Sequence, residues 1–166
     1  MTTRWRGGSA LLAISIGGLL LASTVVADEG PAPPALRVTL PDGTMLATVP
    51  LPPDGSFALR YRNSLYGSLA EERFVVTADG ELRLVELAAE QLAVLEEYYA
   101  ITEPARRAGA GQGWTATPAH VPVITQLRIA ATDRGERTLI VDGQPPIVLW
   151  RFVDDHEPSV LLELGP

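Results

Sequence analysis

Apolar residues recur at every second position through most of this chain, in short runs broken by turn formers, and that alternation admits few architectures. A period of two puts one face of an extended segment on a core and the other in water. Leu36, Val38 and Leu40 alternate with Arg37 and Thr39, Pro41-Asp42-Gly43 marks a turn, and Met45, Ala47 and Val49 then share a face. After the Pro52-Pro53-Asp54-Gly55 break, Phe57, Leu59 and Tyr61 point one way while Ser56, Ala58, Arg60 and Arg62 point the other. Residues 72–77 repeat the pattern, and Ala78-Asp79-Gly80 supplies a hairpin turn into 81–87. Within that last run the apolar positions change phase between Leu84 and Val85, the mark of a β-bulge.

Strand patterning resumes over 124–132, 137–141, 147–152 and 160–164, with Asp133-Arg134-Gly135 and Asp142-Gly143 as turns between them. One segment has a helical period: Ala88, Leu92, Leu95 and Tyr99 on one side, Glu86, Glu90 and Glu97 on another, bounded downstream by Pro104. Residues 106–118, with Gly109, Gly111 and Gly113 beside Trp114, are expected to form a loop. About eight or nine short strands and one short helix point to an all-β, mainly antiparallel domain, a compact sandwich or barrel. A parallel α/β fold needs a helix after nearly every strand.

The first 27 residues follow other rules. Arg4 and Arg6 precede a nearly uncharged run from Ala10 that closes on Val25-Val26-Ala27, the pattern of a signal peptide cleaved after Ala27 or of an N-terminal anchor. In either case the remainder is extracytoplasmic: periplasmic, at the cell surface or secreted. Residues 28–35 read as a flexible Pro-rich leader and 36–166 as a single β domain. Any membrane contact is expected only through an uncleaved N-terminal segment. The chain has no cysteine, which removes lipoprotein anchoring, disulfides, thiol catalysis and thiolate metal sites. All 20 acidic residues follow Ala27, against 11 of the 13 arginines, so the exported part carries a formal charge near −9. Such a surface repels phosphate backbones and argues against nucleic acid as a partner.

Catalytic constellations are sparse. Ser64 and Ser68 flank a turn without a Gly-x-Ser-x-Gly elbow, and His120 and His156 are distant in sequence. Asp154-Asp155-His156-Glu157 gathers metal-ligand types, but consecutive turn residues diverge, so a solvated tip is expected, with no metal and no cofactor. Glu71 and Glu72 are adjacent on a strand and face opposite sides, so at most one enters a given pocket while the other pairs with Arg60, Arg62 or Arg73. Tyr98, Tyr99 and Trp114 offer aromatic faces for a ligand or for the core.

Residues 57–74, FALRYRNSLYGSLAEERF, resemble the signature of domain-of-unknown-function family 1850: an aromatic strand, Tyr-x-His-Ser or Tyr-x-Asn-Ser, a short loop with Ser or Thr, then an acidic residue before an aromatic. Tyr61, Asn63, Ser64, Ser68, Glu71 or Glu72 and Phe74 hold those positions. The likeness extends through Asp79-Gly80 and more loosely through Gly109-Ala110-Gly111. Asn63 stands where many relatives have His, and Gln112-Gly113-Trp114 replaces a common Leu-Pro. The resemblance implies a context: such proteins tend to be encoded beside tripartite TRAP transporters of the TAXI type. It brings no catalytic residues.

The expected role is therefore a non-enzymatic accessory or binding module meeting a transporter subunit or a small solute. Tyr61, Asn63, Ser64, Ser68, Glu71 and Trp114 are the candidate recognition residues. The alternatives are a small extracytoplasmic hydrolase, with Glu71 as base and Trp114 as platform, or a structural envelope protein.

Overall fold

Among the described residues eleven strands, all paired antiparallel, build two sheets that share one core. The computed structural model describes residues 34–109, 113–119, 123–154 and 156–165, all within the compact unit Pro31–Pro166. The expected signal or anchor segment 1–27 and residues 28–33 of the expected Pro-rich leader, together with Ala110, Gly111, Gln112, His120 and Asp155, lie outside the described residues, while Ala35, the last residue of that leader, already belongs to the first strand.

The smaller sheet contains β1 (Ala35–Thr39), β2 (Met45–Pro50), β8 (Gln126–Ala130) and β11 (Ser159–Leu164), in the order β2-β1-β11-β8. The larger contains β3 (Ser56–Asn63), β4 (Ser68–Val76), β5 (Leu82–Ala89), β6 (Arg106–Arg107), β7 (Trp114–Ala116), β9 (Thr138–Ile140) and β10 (Ile147–Val148), in the order β10-β9-β3-β4-β5-β7-β6. Ile124 bridges Leu82, tying the approach to β8 to the start of β5 across the two sheets. Among the described residues no helix is long and apolar enough to cross a membrane.

The alternation seen in the sequence sets the packing. Leu36, Val38, Ile129, Val160 and Leu162 from the small sheet meet Phe57, Leu59, Phe74, Leu82 and Leu139 from the large one, all buried. Phe57 and Phe74, opposite each other on β3 and β4, stack with ring centroids 5.1 Å apart. The phase change in β5 is a bulge: Arg73 faces Glu86 and Phe74 faces Leu84, leaving Val85 as the extra residue. That insertion keeps both Leu82 and Leu87 on the buried side.

A second, smaller cluster covers the other end of the large sheet, where Tyr61, Ala70, Leu87, Ala89 and Ala116 pack beneath Val94 and Leu95. This is where the expected helix was misread. Ala88 and Ala89 belong to β5, because β4 pairs with them on one side (Glu71↔Ala88) and β7 on the other (Ala88↔Thr115). Two ladders of backbone hydrogen bonds outweigh a weak alanine preference for helix. What remains is one π turn, Val94–Tyr98, with no side-chain cap at its start and Glu96 and Glu97 side by side within it. It closes on Ala100 with φ +51°, a left-handed position usually given to glycine.

Two other boundaries differ from the pattern. Only Ile147 and Val148 of 147–152 are strand; Leu149–Phe152 wind into a 3₁₀ turn that buries Leu149, whose N–H donates to the Arg137 carbonyl at 2.9 Å. The stretch expected to be a loop holds the short strand β7, paired with β5 on one side and with the edge strand β6 on the other, so Trp114 sits on a strand.

Candidate functional site

Strand β3 runs through both apolar clusters, carrying Leu59 in the first and Tyr61 in the second. A network of polar side chains collects at that junction. Because Leu59 pairs with Glu72 and Tyr61 with Ala70 across β3 and β4, it is Glu72, and not Glu71, that shares the inner face with Tyr61. The Tyr61 hydroxyl meets the Tyr99 hydroxyl at 2.6 Å, and the Tyr99 hydroxyl donates to Glu72 Oε1 at 2.6 Å. With Tyr99 donating onward, Tyr61 supplies the proton of the first bond. Arg137 Nη1 donates to Glu72 Oε2 at 3.2 Å, and its guanidinium lies 4.4 Å from the Tyr61 ring centroid, a cation–π contact.

Both hydroxyls are held protonated. Burial, reinforced by the Glu72 charge, pushes Tyr61 up to about 12 despite the opposing hydrogen bond with Tyr99. Burial and the nearby Glu72 carboxylate push Tyr99 well above the ordinary tyrosine range. The flanking backbone is strained: among the described residues only two non-glycine residues have positive φ, Ala100 at +51° and Glu136 at +49°. They adjoin Tyr99 and Arg137 respectively. Such conformations cost about 1 kcal/mol or more each and persist where the surrounding structure dictates them.

Beside the network lies a cleft of about 230 Å³ between the β3–β4 turn and the turn that leads into β9. Tyr61, Asn63 and Ser64 line it from one side, Thr132, Arg134 and Arg137 from the other, with Arg62 and Tyr98 at its edges. Asn63 is almost fully buried, and its Oδ1 accepts the N–H groups of Leu65 and Tyr66 at 3.0 and 3.2 Å. Its carbonyl is therefore spent on shaping the turn. Ser64 is exposed at the cleft. Ser68 is buried opposite Asn63, and its Oγ has no hydrogen-bond partner among the described residues.

Glu71 occupies the opposite face of the large sheet, whereas Trp114 pairs with Ala89 and packs against the cluster that holds Tyr61. Glu71 Oε2 accepts from Arg60 Nη2 at 2.9 Å, Glu71 Oε1 accepts from Arg73 Nε at 2.7 Å, and Arg73 also pairs with Glu86. Burial alone would raise the Glu71 carboxyl, but the hydrogen bonds from Arg73 and Arg60 outweigh it and hold the group below its ordinary range. That is the reverse of the shift a general base near neutral pH requires. Trp114 is half-buried, with Arg107 at 4.2 Å from its ring centroid, in the same open groove of about 590 Å³ as Glu71. The structure thus brings Tyr61, Asn63 and Ser64 together at the cleft, puts Glu71 on the other face of the sheet, and leaves Trp114 on Tyr61's face but outside the cleft lining.

Asp154 Oδ1 accepts the N–H groups of His156 and Glu157 at 2.8 and 3.0 Å, a turn closed by its own side chain. Among the described residues no group of three or more His, Cys, Asp or Glu side chains converges as a metal site would require. The residues that reading the sequence missed are Glu72, which the pairing register selects over Glu71, and Arg137, which the strand pattern treated as a strand start. No protein-family profile, curated protein or solved structure matches this chain.

Proposed function

We propose that this chain is an exported, non-enzymatic accessory or binding module that serves solute uptake, working outside the cytoplasmic membrane beside a transporter of the TRAP/TAXI type. The observation that carries the binding reading is the Tyr61–Tyr99–Glu72–Arg137 network fixed at the rim of an open polar cleft. Such a network pre-organises donors, which lowers the ordering cost of binding. Its two tyrosine hydroxyls keep their protons, so at neutral pH they serve as hydrogen-bonding groups and not as bases. Export and the transporter context rest on the N-terminal 27 residues and on the resemblance of 57–74 to family 1850.

The hydrolase alternative has less support, since both oxygens of Glu71 are taken by guanidinium groups. The test is uptake by cells in which the chain carries Ser64→Ala with Arg134→Gln. Transport of the solute served by the transporter encoded beside it is expected to fall. Unchanged uptake, with the variant present at normal level in the envelope, would overturn the accessory reading.

A further inference from the structure

In a chain with formal charge −7, three arginines line the same 230 Å³ cleft and no carboxylate does. Two of the three are partly neutralised: Arg137 by Glu72 at 3.2 Å and Arg62 by Glu136 at 3.3 Å. Arg134 is exposed on its turn and forms no ion pair among the described residues. Its chain neighbour Asp133 lines a different hollow, with Trp150 and Asp154. The lining therefore carries an excess of about one positive charge.

The donors are also unspent. A guanidinium has five N–H groups. Arg62 uses Nε on Glu136 and Nη1 on the Gly67 carbonyl, Arg137 uses Nη1 on Glu72, and Arg134 uses none among the described residues. Ser64 and Thr132 add hydroxyls, and Tyr98, 52% exposed, adds an aromatic wall. The Tyr98 ring is held edge-on against Tyr99, centroids 5.1 Å apart, so the wall is fixed to the buried network.

Resting on the reading of this cleft as a binding site, we propose that its ligand is a small organic acid. A single carboxylate docks on Arg134 with help from Arg137 and Ser64, and a short apolar body lies against Tyr98. Fork-shaped guanidinium groups match a planar carboxylate in two-pronged fashion. A volume of 230 Å³, about seven or eight water molecules at ~30 Å³ each, suits a compact acid. Charge attraction at an exposed site is screened by salt, so affinity is expected to weaken as ionic strength rises.

The experiment is equilibrium titration of the full chain, followed by ligand-detected NMR, with acetate, succinate, benzoate and inorganic phosphate as probes. Benzoate is expected to bind tightest. Arg134→Gln is expected to weaken it at least tenfold, Arg134→Lys less, and Tyr98→Ala is expected to weaken benzoate but not acetate. Arg134 is exposed in a turn, so its variants are expected to keep the wild-type circular dichroism, and that spectrum is the check on folding. Absence of binding by all four probes, binding indifferent to Arg134→Gln, or phosphate binding as tightly as benzoate would each overturn the proposal. None of these would touch the uptake reading, which stands or falls on transport in cells.

Discussion

Removing the single hydroxyl of Tyr99 separates the two apolar clusters' polar junction into unsatisfied halves. In Tyr99→Phe, Glu72 Oε1 loses a 2.6 Å donor and the Tyr61 hydroxyl loses its 2.6 Å partner. A hydrogen bond to a charged group contributes roughly 1.5–3 kcal/mol and a neutral one roughly 0.5–1.5 kcal/mol. Glu72 is only 16% exposed, so water replaces the lost donor incompletely, and we expect a loss of roughly 2–3 kcal/mol. Urea unfolding followed by tryptophan fluorescence measures it. With a slope of about 2 kcal/mol/M, the midpoint should fall by about 1–1.5 M. Tyr98→Phe is the control: that neighbouring side chain is exposed and outside the network, so its change should stay within about 0.5 kcal/mol. A double-mutant cycle with Glu72→Gln should show coupling of about 1 kcal/mol. If Tyr99→Phe matched Tyr98→Phe, the network would be ornamental and the reasoning would fail.

Alkali should attack the same network: Tyr61 keeps its proton in the fold to about 12, whereas the unfolded chain loses it near 10, so this contribution is complete below pH 10 and disappears through pH 10–12. Tyr61→Phe should flatten the fall in urea midpoint over that window. Acid acts through Glu71, whose lowered carboxyl adds stability above about pH 4.5 that is lost as pH drops through its folded value; Glu71→Gln should blunt that loss in a pH series of melting temperatures. Ala100→Gly relieves a left-handed alanine at the end of the π turn and should stabilise by a few tenths to about 1 kcal/mol in calorimetry, strain relief exceeding the added freedom of the unfolded chain. Ser68→Ala deletes a buried hydroxyl without a partner and should be neutral or stabilising by up to about 1 kcal/mol; a loss above 1 kcal/mol would mean the hydroxyl is satisfied.

How far the sequence foretold this molecule depends on which interaction decides each segment. Where a strand's own alternation determines its buried face, as in Phe57, Leu59 and Tyr61, the residue pattern was sufficient. The bulge at Val85 was legible for the same reason: a phase slip in hydrophobicity is the local trace of an extra residue. Where a partner decides, the sequence was mute. Ala88 reads as helix until β4 and β7 claim it, and Leu149 reads as strand until a 3₁₀ turn buries it against the Arg137 carbonyl. The site divides along the same line. Adjacent Glu71 and Glu72 were known to part company, but which one joins Tyr61 follows from register, and register is a property of two strands. Tyr99 and Arg137 reach Glu72 from 27 and 65 positions away, with no shared local motif to announce them.

The order β2-β1-β11-β8 carries a consequence for how the molecule comes into being. β1 is next to β2 in the chain, but its other edge waits for β11, so Leu36 and Val38 lack their strand partners Leu164 and Leu162 until β11 arrives. A chain wired this way cannot finish its small sheet in halves. β11 pairs with both β1 and β8, so its arrival is expected to close the small sheet in one step.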